Sequence, residues 1–185
     1  VFFRVRISKP LVFFPRSRKA IDALWGKKTE RWIVGWAHGN RIFILHPDIF
    51  TQESDHKDKK DFWKTLKHEY CHLYFNHITK TSCPKWLNEG LACYLAGQAK
   101  SKPTKAEALK VFRYYSQSDG DVYKIGYFWV KYFVEKFGER KILQLIHLLG
   151  HVRTERKFAG AFYKVYKIHY TKKSFERIFE RIDSR

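Results

Sequence analysis

Residues 58–97 read DKKDFWKTLKHEYCHLYFNHITKTSCPKWLNEGLACYLAG, and the reading of this stretch decides the rest. From Asp58 to about Ile78, Phe62, Leu66, Tyr70, Leu73 and His77 recur at three and four residues, which predicts one helix. Ser54 or Asp55 is placed to cap its start. Pro84 suits the first turn of a second helix, with Ser82 or Cys83 before it and Gly97 after its end. The first helix carries His68-Glu69-Tyr70-Cys71-His72. Residues four apart share a helix face, so both imidazoles point to one place, where a single Zn2+ ion can take two nitrogens. Glu69 stands beside them, within reach of a water on that ion as general base. Chance gives roughly 0.02 such motifs in a chain of this composition, so coincidence explains it poorly.

Two histidines need a third protein ligand to make a zinc site. The metzincin arrangement, a histidine six residues past the second and a glycine between, is absent: those positions hold Ile78 and Phe75. His77 reads as a helix-surface or packing residue. Glu89 is the better candidate, within Trp86-Leu87-Asn88-Glu89-Gly90-Leu91-Ala92 on the second helix. Two antiparallel helices joined by a short loop present His68, His72 and Glu89 to one metal. The fourth position stays open for water, the pattern of a catalytic zinc. A carboxylate among Trp86, Leu87, Leu91 and Ala92 is better explained by burial beside a cation than by an exposed helix face.

Outward from this pair, the first fifty residues read as strand-rich. Phe2–Ile7 and Leu11–Phe14 are short β-type runs broken by Pro10 and Pro15. Ala20–Trp25 reads as a short helix, and Arg31–Ala37 and Arg41–Leu45 flank the turn-like His38-Gly39-Asn40 as a hairpin. From about Pro103 the pattern is helical, punctuated by Gly120, Gly138 and Gly150 and closed by Ser174–Ile182. A β-rich start followed by helices is an α+β pattern. The expected organisation is one domain over 1–185. A β-rich lobe, about 1–80, ends in the long helix; a helical lobe, about 81–185, carries Glu89.

Composition narrows the class. Hydrophobic residues make up 44% and aromatics 18%, which excludes a largely disordered chain. The net charge of +19 attracts nucleic acid, acidic membrane surfaces or acidic substrates, or is simply a solvated surface; alone it names no partner. Cys71, Cys83 and Cys93 make neither a disulfide framework nor a CxxC zinc pair, so a reducing, cytoplasmic compartment is expected. No signal peptide and no apolar span of about 20 residues is visible. The sequence starts at Val1 and holds no Met, as expected of a piece trimmed from a longer chain.

The paired motifs His68-Glu69-x-x-His72 and Trp86–Ala92 resemble the signature of the gluzincins, the peptidase group that includes thermolysin and the zinc aminopeptidases. The size is similar to that of small gluzincins built from little beyond the catalytic core. The resemblance implies a zincin-like fold and hydrolysis of protein or peptide substrates by Glu69-assisted attack of water on zinc. It also implies a substrate-binding strand ahead of the long helix, which Gly35–Ile44 resembles. Tyr123-Lys124-Ile125-Gly126 is similar to the aminopeptidase context of an oxyanion-binding tyrosine, which gives Tyr123 that role and leaves Tyr127 in reserve. His38 is a turn residue near the substrate strand. Two departures stand out. Gly35–Asn40 lacks the acidic residue that anchors a free amino terminus in aminopeptidases, which points to an endopeptidase. Cys93 stands where thermolysin-like members carry an Asp that supports a histidine, so the partners of the metal-binding histidines stay unassigned.

Three alternatives remain open on the sequence. The first is a basic zinc protease acting on DNA-bound proteins, a class whose third ligand is a histidine. The second is a zinc-free nucleic-acid-binding domain that stacks bases on exposed aromatics. Here Phe128, Trp129, Tyr132 and Phe133 fall in dense helical runs that look like core. The third is a latent or degenerate peptidase whose last segment, Tyr170–Arg185, covers the cleft.

Overall fold

A computed structural model describes residues 2–184. Over these residues the chain is α+β and mostly helical, with eight helices and one three-stranded sheet. The strands are β1 (Leu11–Phe13), β2 (Gly35–His38) and β3 (Arg41–Ile44), in the order β1-β3-β2. β2 and β3 form the expected hairpin, with Gly39 at φ 58° in its tight turn, and β1 runs parallel to β3. Phe2–Ile7 forms no strand, a correction to the sequence expectation. Phe3 instead stacks flat on Tyr74 of the long helix at 5.1 Å, so the start of the chain is held by side-chain packing.

Helix α1 (Arg18–Trp25) starts at Ser17, whose hydroxyl accepts from the Ala20 N–H, and stops at Gly26 in the left-handed region. Helix α2 (Lys60–Thr79) is the long helix that the apolar spacing predicts. Its cap differs from expectation. Asp58 accepts the Lys60 N–H, whereas Ser54 donates to the Phe50 carbonyl and Asp55 pairs with Arg31. Helix α3 (Lys85–Ala96) follows after a short loop; Pro84 sits at its N-cap and Gly97 closes it at φ 68°. Then come α4 (Lys105–Ala108), α5 (Asp121–Phe137), α6 (Glu139–Leu148), α7 (Glu155–Tyr166) and α8 (Lys172–Asp183). Thr104, Thr154 and Thr171 cap α4, α7 and α8 through their hydroxyls.

Two apolar clusters hold these elements. The smaller joins Ile21, Val34, Ile42, Ile44 and Phe50 to Phe62 and Leu73 of α2. The larger is built on Trp86, Trp129, Phe133, Phe158 and Phe162, each fully buried. Full burial of one such side chain stabilises by about 1.5–3 kcal/mol. Phe3 and the inner face of α2 also belong to the larger cluster, so the first 80 residues contribute to both. Phe175, Ile178 and Phe179 of α8 pack into it too, and Tyr170 accepts a hydrogen bond from the buried Trp86 indole at 3.1 Å. Tyr170, Phe175, Ile178 and Phe179 are thus committed to the core, and none of residues 170–184 lines the cleft described below.

α3 and α5 meet backbone to backbone at two glycines. A Cβ on Gly90 would stand 2.2 Å from the Gly126 carbonyl, and one on Gly126 would stand 2.3 Å from the Trp86 carbonyl oxygen. Backbone meets backbone here, so no side-chain movement relieves a substitution. Gly126→Ala must push the helices apart. We expect a loss of about 3 kcal/mol, at the upper end of overpacking costs, and weaker metal binding, because Glu89 and Tyr123 ride on these helices. Denaturant unfolding and zinc titration of the variant check this; wild-type values for both would contradict the packing account.

Candidate metal centre

α2 runs beneath β2, and α3 returns beside α2. His68 and Glu69 are buried on α2, with ring centroids of His68 and His72 4.7 Å apart. Glu89 enters from α3. Its Oε2 lies 3.2 Å from His68 Nε2 and 3.4 Å from His72 Nε2. Zinc bonds of 2.0–2.1 Å in tetrahedral array set ligand atoms about 3.3–3.4 Å apart. Both Glu89 distances match that spacing.

Glu69 is also close: one ligand atom each of His68, Glu69 and His72 lie within 4.8 Å of one another. Two carboxylates thus flank the imidazoles. Glu89 fits the ligand position better, because one oxygen meets both Nε2 atoms. Glu69 is drawn the other way, toward the Ala37 backbone N–H of β2. Gly35 of β2 lies against α2, where a Cβ would make ordinary contact with Glu69 Cγ at 3.5 Å.

The far side of each imidazole is fixed. His68 Nδ1–H donates to Gln98 Oε1 at 2.8 Å, and His72 Nδ1–H donates to Asn88 Oδ1 at 2.8 Å. Both Nε2 atoms are left to face the common point. The Asn88 amide is itself oriented by donating to Asn76 Oδ1 and the Ser82 carbonyl, both at 3.4 Å. Cys93 does approach His68, with Sγ 3.9 Å from Nδ1, but Gln98 supplies the stronger acceptor. Sequence reasoning missed the roles of Gln98 and Asn88. Asn88 lay in view, adjacent to Glu89; Gln98 follows the Gly97 cap, where only the fold brings it back.

Charge in the pocket is balanced internally. Burial pushes the Glu89 carboxyl up, but the His72 charge and hydrogen bonds from both imidazoles outweigh it and hold the group well below the usual carboxylate range. Burial pulls both imidazoles down. Cys93 and Glu89 overcome this at His68, and Glu89 overcomes it at His72, so both end above the ordinary histidine value. Burial lifts Glu69. Burial, then Glu89 and Glu69, lifts Tyr123 far above the phenol range and keeps its hydroxyl neutral.

The site opens into a cleft of about 520 Å³ walled by Trp25, Trp32 and Trp36. Tyr123 lines it, its ring 6.0 Å from His68 and 6.2 Å from Trp32. Its hydroxyl makes no hydrogen bond among the described residues. Tyr127 lies outside the cleft lining, on the Tyr94 side of α5, and His38 is exposed beyond it. His77 is exposed. His56 lines the cleft, another residue that sequence reasoning missed, with Nδ1 3.4 Å from Asp61. Thr65, one turn before Glu69, also lines it with a buried hydroxyl that has no partner. Val34 C=O accepts from Leu45 N–H, and the antiparallel alternation then turns the Gly35 and Ala37 backbone groups to the free edge of β2.

No protein-family model matches the chain, and no curated protein or solved structure matches it. Its chemistry is therefore argued from the site itself. Among the described residues no helix is long and apolar enough to cross a membrane.

Removing the imidazole acceptors tests the arrangement. Asn88→Ala or Gln98→Ala should weaken zinc binding about 10–100-fold. Zinc affinity should also fall on acidification, since metal must displace protons that these raised imidazoles hold. The fall begins above the ordinary histidine value of 6.5, because both folded-state values lie higher. Competition with a chromophoric chelator between pH 8 and 6 measures both effects; a flat profile would contradict the assignment.

Proposed function

We propose that this chain is a zinc-dependent endopeptidase of the gluzincin kind. The observation that carries the reading is the position of Glu89 Oε2, at 3.2 and 3.4 Å from the two imidazole Nε2 atoms. His68, His72 and Glu89 would hold the ion. When bound, zinc supplies a Lewis acid that polarises a carbonyl and makes water nucleophilic near neutral pH.

The protein's own groups do the rest. Glu69 takes the proton of the attacking water and hands it to the leaving amine. Tyr123 donates its free hydroxyl to the oxyanion as the carbonyl becomes tetrahedral. The free edge of β2 receives the peptide in extended form by strand addition. Among the described residues Glu69 and Glu89 are the only carboxylates lining the cleft, so neither is spare to hold a free amino terminus, which supports cleavage within a chain.

The alternatives fare less well on the same residues. Among the described residues His56 is the only other histidine in the cleft lining, and its Nδ1 is turned to Asp61, so a third histidine ligand lacks support. Trp129 and Phe133 are buried, and Phe128 and Tyr132 are half-buried against them, so these four rings form no exposed stacking surface. Latency through the last helix lacks support because its apolar side chains are committed to the core.

Metal analysis of the purified protein, with casein digestion by wild type and Glu69→Gln, tests the reading. About one zinc per chain in both and hydrolysis in wild type alone is the expected result; full activity in Glu69→Gln would remove the mechanism. Tyr123→Phe should lower kcat about 10²–10³-fold, the scale of one lost oxyanion donor. An unchanged rate would hand that role to another group.

A further inference from the structure

The cleft has a charge pattern that the metal site does not explain. Among the described residues its only carboxylates are Glu89, which meets both imidazoles, and Glu69, which lies beside them toward the Ala37 N–H. Its lysines are Lys85 and Lys100, and neither is paired with an acid. Lys85 Nζ donates to Ser82 Oγ at 2.9 Å, and Lys100 is exposed. Nearby lysines outside the cleft are neutralised: Lys102 by Asp183, Lys105 by Glu180, Lys110 by Asp121 and Lys124 by Glu107. Both lysines thus line the cleft with no ion pair among the described residues.

The two cations also flank the metal site. Lys85 opens α3, Glu89 follows one turn later, and Lys100 lies just past the Gly97 cap. A 12-residue helix is about 18 Å long. An extended peptide advances about 3.3 Å per residue, so the length of α3 corresponds to five or six residues.

We infer that the cleft selects peptides bearing a carboxylate within about three residues of the cleaved bond, through Lys85 on one flank and Lys100 on the other. This rests on the peptidase reading and adds a substrate class to it. The carboxylate comes from an Asp or Glu side chain or from a free chain end. The net charge of +19 strengthens the same attraction at long range.

The test uses quenched fluorogenic peptides with both ends blocked, alike except for acidic, neutral or basic residues on either side of the central bond. A fourth set has no acidic side chain and a free C-terminal carboxylate. With zinc-loaded wild type, kcat/KM for an acidic set should exceed that for the basic set at least tenfold, and 0.5 M NaCl should shrink the ratio. Preference for the fourth set alone would assign the carboxylate to a chain end. In a Lys85→Glu/Lys100→Glu variant with normal zinc content the order should reverse. Should that variant fail to fold, Lys100→Gln, at an exposed site, should still cut the ratio severalfold. Cleavage of all sets at one rate, or an unchanged preference in the lysine variants, overturns the inference and leaves the peptidase reading standing. Cleavage of none overturns both.

Discussion

One buried carboxylate oxygen shared between two imidazoles is the contact on which the rest of the site depends. Glu89 is nearly enclosed, and an ionised carboxylate in such a place is costly unless opposite charge or strong donors meet it. In the metal-free molecule the raised imidazoles of His68 and His72 meet that need. In the proposed holoenzyme a zinc ion takes over, and the protons leave. A zinc ion carries the charge of two protonated imidazoles, so Glu89 meets the same opposite charge in either state. This is why a glutamate can stand among Trp86, Leu87, Leu91 and Ala92 without opening the core to water.

The scaffold serves that contact through backbone approach as much as through side chains. Gly90 and Gly126 let α3 and α5 touch, which fixes the depth of Glu89 and sets Tyr123 one turn before the crossing. β2 packs along α2, so that a strand edge and a helical glutamate share one wall of the cleft. Asn88 and Gln98, at opposite ends of the same helix α3 region, then fix the two rings from behind. A small sheet and two helices suffice for the site; the aromatic core made with α5 to α8 holds them in register.

Much of this was legible in residues 58–97, because a helical repeat of 3.6 and a ligand spacing of four are both local facts. The hairpin was legible for a similar reason: Gly39 allows the left-handed turn between β2 and β3. Phe2–Ile7 misled, since alternating apolar residues suit a strand only when a neighbouring strand accepts them, and here Phe3 found Tyr74 instead. The cap of α2 misled as well. Ser54, Asp55 and Asp58 have equally suitable side chains, and only the path of the loop decides which one reaches the helix. Gln98 and His56 could not be found from local pattern. They meet the site through the return of the chain past Gly97 and through the loop ahead of α2, both long-range features of the fold.

The central claim concerns which atoms surround the ion, and X-ray absorption at the zinc edge of the loaded protein reads that shell directly. The account predicts one zinc with only nitrogen and oxygen neighbours at about 2.0–2.2 Å, unchanged in a Cys93→Ser variant. A sulfur neighbour near about 2.3 Å, or the same spectrum after Glu89→Ala, would contradict it.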